Sequence, residues 1–192
     1  MRTRLALFVL SATGCGASVP ARYVVERDID DTYLYRRYQK VLDVEVPVPE
    51  NPAEGHTAVY ERGAEAEGPA LAVVFVARYE RPRGLAMELA RAVDRLEGYQ
   101  ARVAEVGGGN AWVLAGEQGD RWAIWASGRS IVKVGTPDGR VLPEEVLELY
   151  MDIYPSELES DGRPESGAAS GGEAGPEDAR PAQNTPMPQL LQ

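Results

Sequence analysis

The sequence predicts an α+β fold, in which an antiparallel sheet of about six or seven strands carries two helices packed on one face. Short segments that alternate apolar and polar residues recur between glycine-rich turns, which is typical of strands joined by hairpins. Two longer segments carry apolar residues at helical spacing. The expected order is β-β-β-α-β-β-β-β-α, and the predominance of hairpins favours antiparallel pairing.

The first three strands are predicted from alternation and from turn residues. VLDVEVPV (41–48) has leucine or valine at every second position, and HTAVYERG (56–63) follows a turn. PALAVVFVARYERP (69–82) is apolar on both faces at its centre, so we expect it in the middle of the sheet. Residues 22–40 are rich in tyrosine and charge and are expected to form a partly helical lead segment.

The remaining elements follow the same logic. A helix is predicted at 84–98, where leucine and valine recur at helical spacing and Gly98 suits the C-terminal cap. Pro143 suits the first turn of a second helix, and Pro155 limits its end. Between these helices, strands are predicted at 99–106, 111–116, 121–126 and 130–135.

Glycine-rich turns separate these later strands. Gly128-Arg129 is predicted to be a two-residue hairpin loop of type II′. The glycines at 107–109 invite interpretation as a phosphate-binding loop, but neither GxxxxGK[ST] nor GxGxxG is present. A strand-like AWVLA follows them instead of a helix, so we expect a hairpin turn.

The charge of the chain excludes one class of partner. The 30 acidic and 20 basic residues give a formal charge of −10. Removing Arg2 and Arg4, two positive charges, would make it −12. Proteins that bind nucleic acid usually have the opposite charge, so no nucleic-acid partner is expected. The acidic surface also repels anionic lipid headgroups, so attachment to a membrane would depend on a covalent lipid.

The N-terminus has the pattern of an export signal. The basic start MRTR precedes the apolar run LALFVL and then small residues, which predicts a signal peptide over residues 1–14. The following ATGC resembles the lipobox of bacterial lipoproteins, although Ala12 stands where leucine is usual. This resemblance implies cleavage before Cys15 and attachment of lipid to its sulfur. Gly16 stands where an inner-membrane retention signal would have aspartate.

Cys15 is the only cysteine, so its loss or lipidation would leave no thiol for a disulfide, a metal or catalysis. The expected location is the cell envelope, with the lipid in the outer membrane and the domain facing the periplasm. Val19-Pro20-Ala21 offers an alternative cleavage site, which would release a soluble periplasmic or secreted protein without Cys15.

Three segments are expected downstream of the signal peptide. Residues 15–40 hold Cys15 and the lead segment, and residues 41–158 form a single α+β domain. Residues 159–192 are acidic and rich in proline and glycine, so they are expected to be a disordered tail.

Few residues suggest a functional site, and no catalytic residue, metal ligand or cofactor is assigned. His56 is the only histidine, next to Glu54, and is interpreted as a polar strand residue instead of a metal ligand. Trp122 and Trp125 have opposite parity in one strand, so one should face the helices and the other away. Trp122 is expected in the core. Trp125 either packs beneath residues 22–40 or marks an exposed binding surface.

The body also resembles a group of envelope lipoproteins of Gram-negative bacteria over residues 35–160, through segments such as RRYQKVLDVEV and RWAIWASGRSIVKVG. The resemblance implies no activity, cofactor or catalytic residue. The expected function is therefore a non-catalytic, membrane-anchored binding or interaction module with an envelope protein as partner. The alternative is an exported ligand-binding or hydrolytic protein with a pocket between the sheet and residues 22–40.

Overall fold

The structure is a computed structural model that describes residues 18–41, 44–65, 67–137, 139 and 141–163. The predicted signal peptide, Cys15 and the tail beyond Arg163 lie outside these ranges. Within the described residues, no helix is long and apolar enough to cross a membrane.

The described chain contains seven strands and two helices, in the predicted order. They are β1 (Tyr33–Val41), β2 (Ala53–Arg62), β3 (Leu71–Tyr79), α1 (Leu85–Val93), β4 (Tyr99–Val106), β5 (Gly109–Gly116), β6 (Arg121–Ser127), β7 (Ser130–Thr136) and α2 (Glu144–Ile153). The strands form one antiparallel sheet in the order β1-β2-β3-β7-β6-β5-β4. The predicted α+β class with an antiparallel sheet is confirmed.

The first strand differs from the prediction. The strand expected at 41–48 is wrong, and β1 lies inside the segment that we expected to be a partly helical lead. A bulge between Tyr35 and Arg37 interrupts the alternation of β1, which hides its strand pattern in the sequence. Pro47 and Pro49 cannot donate to a strand ladder, so the valines around them do not form one.

The two helices pack on opposite faces of the sheet, so the expectation that both lie on one face is wrong. We call the two sides the Trp125 face and the Trp122 face, because these residues of β6 point in opposite directions. The buried residues of α2 cluster with Trp125. Those of α1, including Leu89, cluster with Trp122 and Ile124. A helical apolar stripe predicts burial but does not say which of two apolar sheet faces it covers.

Helix α1 is also shorter than predicted. It ends at Val93 with Asp94 as its cap, and Gly98 serves the turn into β4 with a left-handed φ of 77° instead of capping the helix. Leu96, which we expected in the apolar stripe, is 42% exposed beyond the helix end.

The hairpin turns follow the prediction. Gly107 and Gly108 join β4 to β5, and both have positive φ, as a two-residue type I′ turn requires. Gly128 has a φ of 54° in the two-residue loop between β6 and β7, where the prediction placed glycine first. The glycine-rich segment at 107–109 is therefore a hairpin turn.

The lead segment is part of the folded domain. Val24 and Val25 are buried, and the backbone N–H of Val25 donates to the phenol oxygen of Tyr150 at 2.7 Å. The hydroxyl of Tyr60 donates to the carbonyl of Val25 at 2.5 Å and lies 2.8 Å from that of Tyr150. These contacts hold the segment on the Trp125 face. The domain thus begins well before residue 41, the boundary that we expected.

The folded domain also extends past residue 158. The N–H of Glu159 donates to the carbonyl of Arg163 at 2.8 Å, closing a turn. Gly162 is buried in this turn and approaches Trp112 so closely that an added Cβ would lie 2.8 Å from the ring. The first residues of the predicted tail therefore fold onto the domain.

Candidate functional site

Both tryptophans of β6 lie in the core, which changes the candidate surface. Trp122 is 7% exposed, in agreement with its predicted core position. Trp125 is fully buried, and its indole N–H donates to the carbonyl of Tyr154 at 2.7 Å. The alternative in which Trp125 faces an open side of the sheet is wrong, because α2 and the lead segment cover that side.

The pocket that the alternative function placed between the sheet and residues 22–40 does not form there. That space is filled by packed side chains of Val24, Val25, Tyr60 and Tyr150, each at most 6% exposed. A cleft of about 200 Å³ lies on the other side of the sheet, the Trp122 face. Its apolar walls include Val44, Val46, Phe75, Ala77, Ile124 and Ile131.

One wall of the cleft is a loop that crosses the sheet. Residues 44–48, which we call the strap, follow β1 and turn back over the Trp122 face. Val46 is 5% exposed there, and its carbonyl accepts a hydrogen bond from the hydroxyl of Tyr79 at 2.6 Å. Val44 and Val46, whose alternation in the sequence predicted a strand, therefore form part of the cleft wall.

Lys133 lines the cleft from the central strand β7. Its side chain is only 14% exposed. The ammonium lies 4.4 Å from the ring centre of Trp122 and 5.5 Å from that of Phe75, both within the range of cation–π attraction. Its two nearest anionic atoms are the carboxylate oxygens of Glu45 in the strap, at 2.6 and 2.8 Å.

A second carboxylate, that of Asp120, lies near Lys133. Asp120 accepts hydrogen bonds from the hydroxyl of Tyr99 at 2.7 Å and from the indole N–H of Trp122 at 2.8 Å. Burial by itself would raise the pKa of the Asp120 carboxyl. The two hydrogen bonds and the nearby Lys133 charge outweigh burial and hold that pKa below its usual range. The hydrogen bond to the Asp120 carboxylate is the largest cause, and burial the second, of the rise in the pKa of Tyr99 to about 12.

Thr57 supplies a polar group without a partner. It lines the cleft from β2, it is 7% exposed, and its hydroxyl oxygen has no hydrogen-bond partner among the described residues. Burying a hydroxyl group costs free energy unless it has a hydrogen-bond partner. The cleft therefore combines apolar walls with a cation and a hydroxyl that lacks a hydrogen-bond partner. This combination is typical of small-molecule sites.

His56 lies on the Trp125 face, where it is buried in β2 as a strand residue. Its Nδ1 lies 2.9 Å from the hydroxyl of Tyr38, and the ring of Tyr23 covers it at 4.8 Å between centroids. Nε2 lies 3.5 Å from a carboxylate oxygen of Glu54 but forms no hydrogen bond with it. Within the described residues, no group of three histidine, cysteine or acidic side chains could hold a metal ion.

The burial of His56 predicts a pH dependence of stability. Desolvation lowers the pKa of the imidazole from 6.5, and the Glu54 charge only partly opposes this shift. The unfolded chain therefore binds a proton more readily, so stability should fall as the pH drops through about 6.5. Urea denaturation between about pH 7.5 and 5.5 measures this slope, and His56→Phe should flatten it. If the stability of the variant depends on pH as strongly as that of the wild type, His56 is not the cause of the pH dependence.

No family model, curated protein or solved structure matches this chain. The cleft is therefore a candidate site on the basis of its geometry alone. Sequence reasoning missed Lys133, although one signal was present. In SIVKVG it is the only charged residue of an apolar strand, and it is one of two lysines in the chain, with Lys40. A lone lysine in a central strand is costly to bury without a partner or a ligand.

Proposed function

We propose that this protein is an exported, lipid-anchored and non-catalytic binding protein that takes a small apolar molecule in the cleft beside Lys133. The observation that supports it is the cleft itself, whose apolar walls converge on a single ammonium and the unpartnered hydroxyl of Thr57. Neither group is paired with a nucleophile and base, so binding fits the site better than hydrolysis.

The volume of the cleft limits the size of the ligand. An apolar cavity of about 150 Å³ accommodates benzene, so the cleft of about 200 Å³ suits roughly eight non-hydrogen atoms. That is smaller than a nucleotide or an oligosaccharide. A short hydrocarbon chain or a single substituted ring fits these walls.

The attachment that we propose leaves the cleft open to the aqueous side. Two residues separate Cys15 from Ser18, where the described chain begins, so a lipid on Cys15 would hold the domain close to the membrane. The lead segment packs on the Trp125 face, whereas the cleft lies on the Trp122 face. An envelope protein partner remains part of the proposal, although burial of Trp125 removes the surface that we first assigned to it.

Filling the cleft tests the binding function. Ala77→Phe places a ring where Ala77 now lines the cleft, and it should weaken binding of octanol at least about tenfold. Titration calorimetry or chemical-shift changes measure the affinity. Ala101→Phe on exposed β4 is the matched control and should bind octanol like the wild type. Absence of octanol binding to the wild-type protein would contradict the proposed function.

The lipid anchor requires a separate test. Cys15→Ala should leave the precursor uncut or move the protein from the detergent phase to the soluble phase after phase partitioning, because the thiol that carries the lipid is gone. Two or three acyl chains anchor firmly, at about 0.8 kcal/mol for each buried methylene. If the variant partitions like the wild type, the lipid is not on Cys15.

A further inference from the structure

The geometry points to a small monocarboxylic acid as the ligand of this cleft, with its carboxylate replacing Glu45 as the partner of Lys133. This inference rests on the proposed function and specifies its ligand. Glu45 then occupies the anion position of the site from within the chain, and it competes with the ligand for the ammonium.

Lys133 requires an anion where it lies. Its side chain is 14% exposed, on the central strand of the sheet, with aromatic rings on two sides. An ammonium taken out of water in this way is stable only with a charged partner. Cation–π attraction to Phe75 and Trp122 offsets part of the desolvation but does not replace a carboxylate.

Glu45 is a partner that can leave. Its side chain is 56% exposed, so its carboxylate returns to water at little cost when another anion takes its place. The strap does not depend on this ion pair alone, because Val46 is buried and bonded to Tyr79. A ligand carboxylate can reproduce both contacts that Glu45 makes with the ammonium, at 2.6 and 2.8 Å.

The apolar walls determine the rest of the ligand. The ammonium of Lys133 and the walls formed by Val44, Ala77 and Ile131 belong to one continuous cleft. A carboxylate held at Lys133 can therefore extend a hydrocarbon body of about eight atoms along those walls. Asp120 adds a further negative charge near Lys133, which disfavours dianions such as phosphate esters more than monoanions.

Octanoate and octanol, which have the same chain length, test the inference in the full-length protein. Glu45→Gln removes the competing charge and should strengthen octanoate binding at least about tenfold, a larger factor than any change in octanol binding. Lys133→Met in that background should abolish the gain. Glu45→Ala repeats the comparison without a hydrogen-bonding side chain, and melting temperatures verify that each variant is folded.

The second lysine provides matched controls. Lys40 is paired with Glu54 on the opposite face of the sheet, where both side chains are largely exposed. Glu54→Gln and Lys40→Met should therefore leave octanoate binding unchanged.

Three outcomes separate a failure of the inference from a failure of the proposed function. If octanol binds but Glu45→Gln changes octanoate affinity by less than about twofold, the cleft binds apolar molecules without selecting an acid, and the inference is overturned. Tighter octanoate binding that persists in Lys133→Met overturns it as well. If neither probe binds to any folded variant, the proposed function itself fails.

Discussion

Replacing Trp125 by alanine is expected to lower the free energy of unfolding by about 3–5 kcal/mol. The ring is fully buried between the sheet and α2, and it packs with Val74 and Val134 in the larger core cluster. Truncation leaves a cavity there and also removes the donor to the carbonyl of Tyr154. The change in urea midpoint, converted with the measured m-value, gives the free energy.

Trp122→Ala is the informative comparison for this variant. Trp122 is nearly as buried, and its ring packs against Lys133, so we expect a large loss of stability here too. Large losses in both variants would show that both faces of the sheet are covered. A cost below about 1 kcal/mol for Trp125→Ala would instead restore the exposed Trp125 surface that the sequence suggested.

Tyr150→Phe is expected to lower the free energy of unfolding by about 1–3 kcal/mol, because it leaves a buried backbone donor without an acceptor. The Tyr150 oxygen accepts from the N–H of Val25 at 2.7 Å, and its own hydrogen points toward Tyr60 at 2.8 Å. Burial raises the pKa of both phenols, so both remain neutral at ordinary pH and act as hydrogen-bonding groups. Thermal and urea denaturation measure the change.

Tyr35→Phe is the matched control for this second variant. Its hydroxyl is exposed and makes only a long contact of 3.4 Å with Glu26, so its loss should change stability by less than about 0.5 kcal/mol. The Tyr150 variant should also loosen the lead segment, which hydrogen exchange at the Val25 amide detects. Equal stability of the two variants would show that the phenol network does not hold the segment.

The lead segment shows why a domain boundary is hard to read from one sequence. Residues 22–40 look polar because tyrosines and charged side chains dominate them. Yet Val24 and Val25 are almost completely buried, and β1 begins at Tyr33. Tyrosine is ambiguous in this respect, since its ring packs in a core whenever its hydroxyl finds a partner. Those partners come from distant parts of the chain.

The candidate site shows the same limit. The lysine in SIVKVG is visible in the sequence, but the strap residue that pairs with it lies 88 positions away. No periodic pattern connects Glu45 to Lys133, because the strap has no regular structure and reaches the ammonium only by folding over the sheet. The cleft between them is a product of packing and has no sequence motif.

Local patterns in the sequence determined the kind and order of most elements. The alternating or continuously apolar strand segments, the apolar stripes of α1 and α2, and glycines with positive φ at hairpin turns are local features that each segment specifies for itself. Only the tertiary structure decided which face each helix covers, that Trp125 is buried, and that Lys133 meets Glu45. Both faces of the central strands are apolar, so local pattern leaves these choices open, and contacts between distant segments make them.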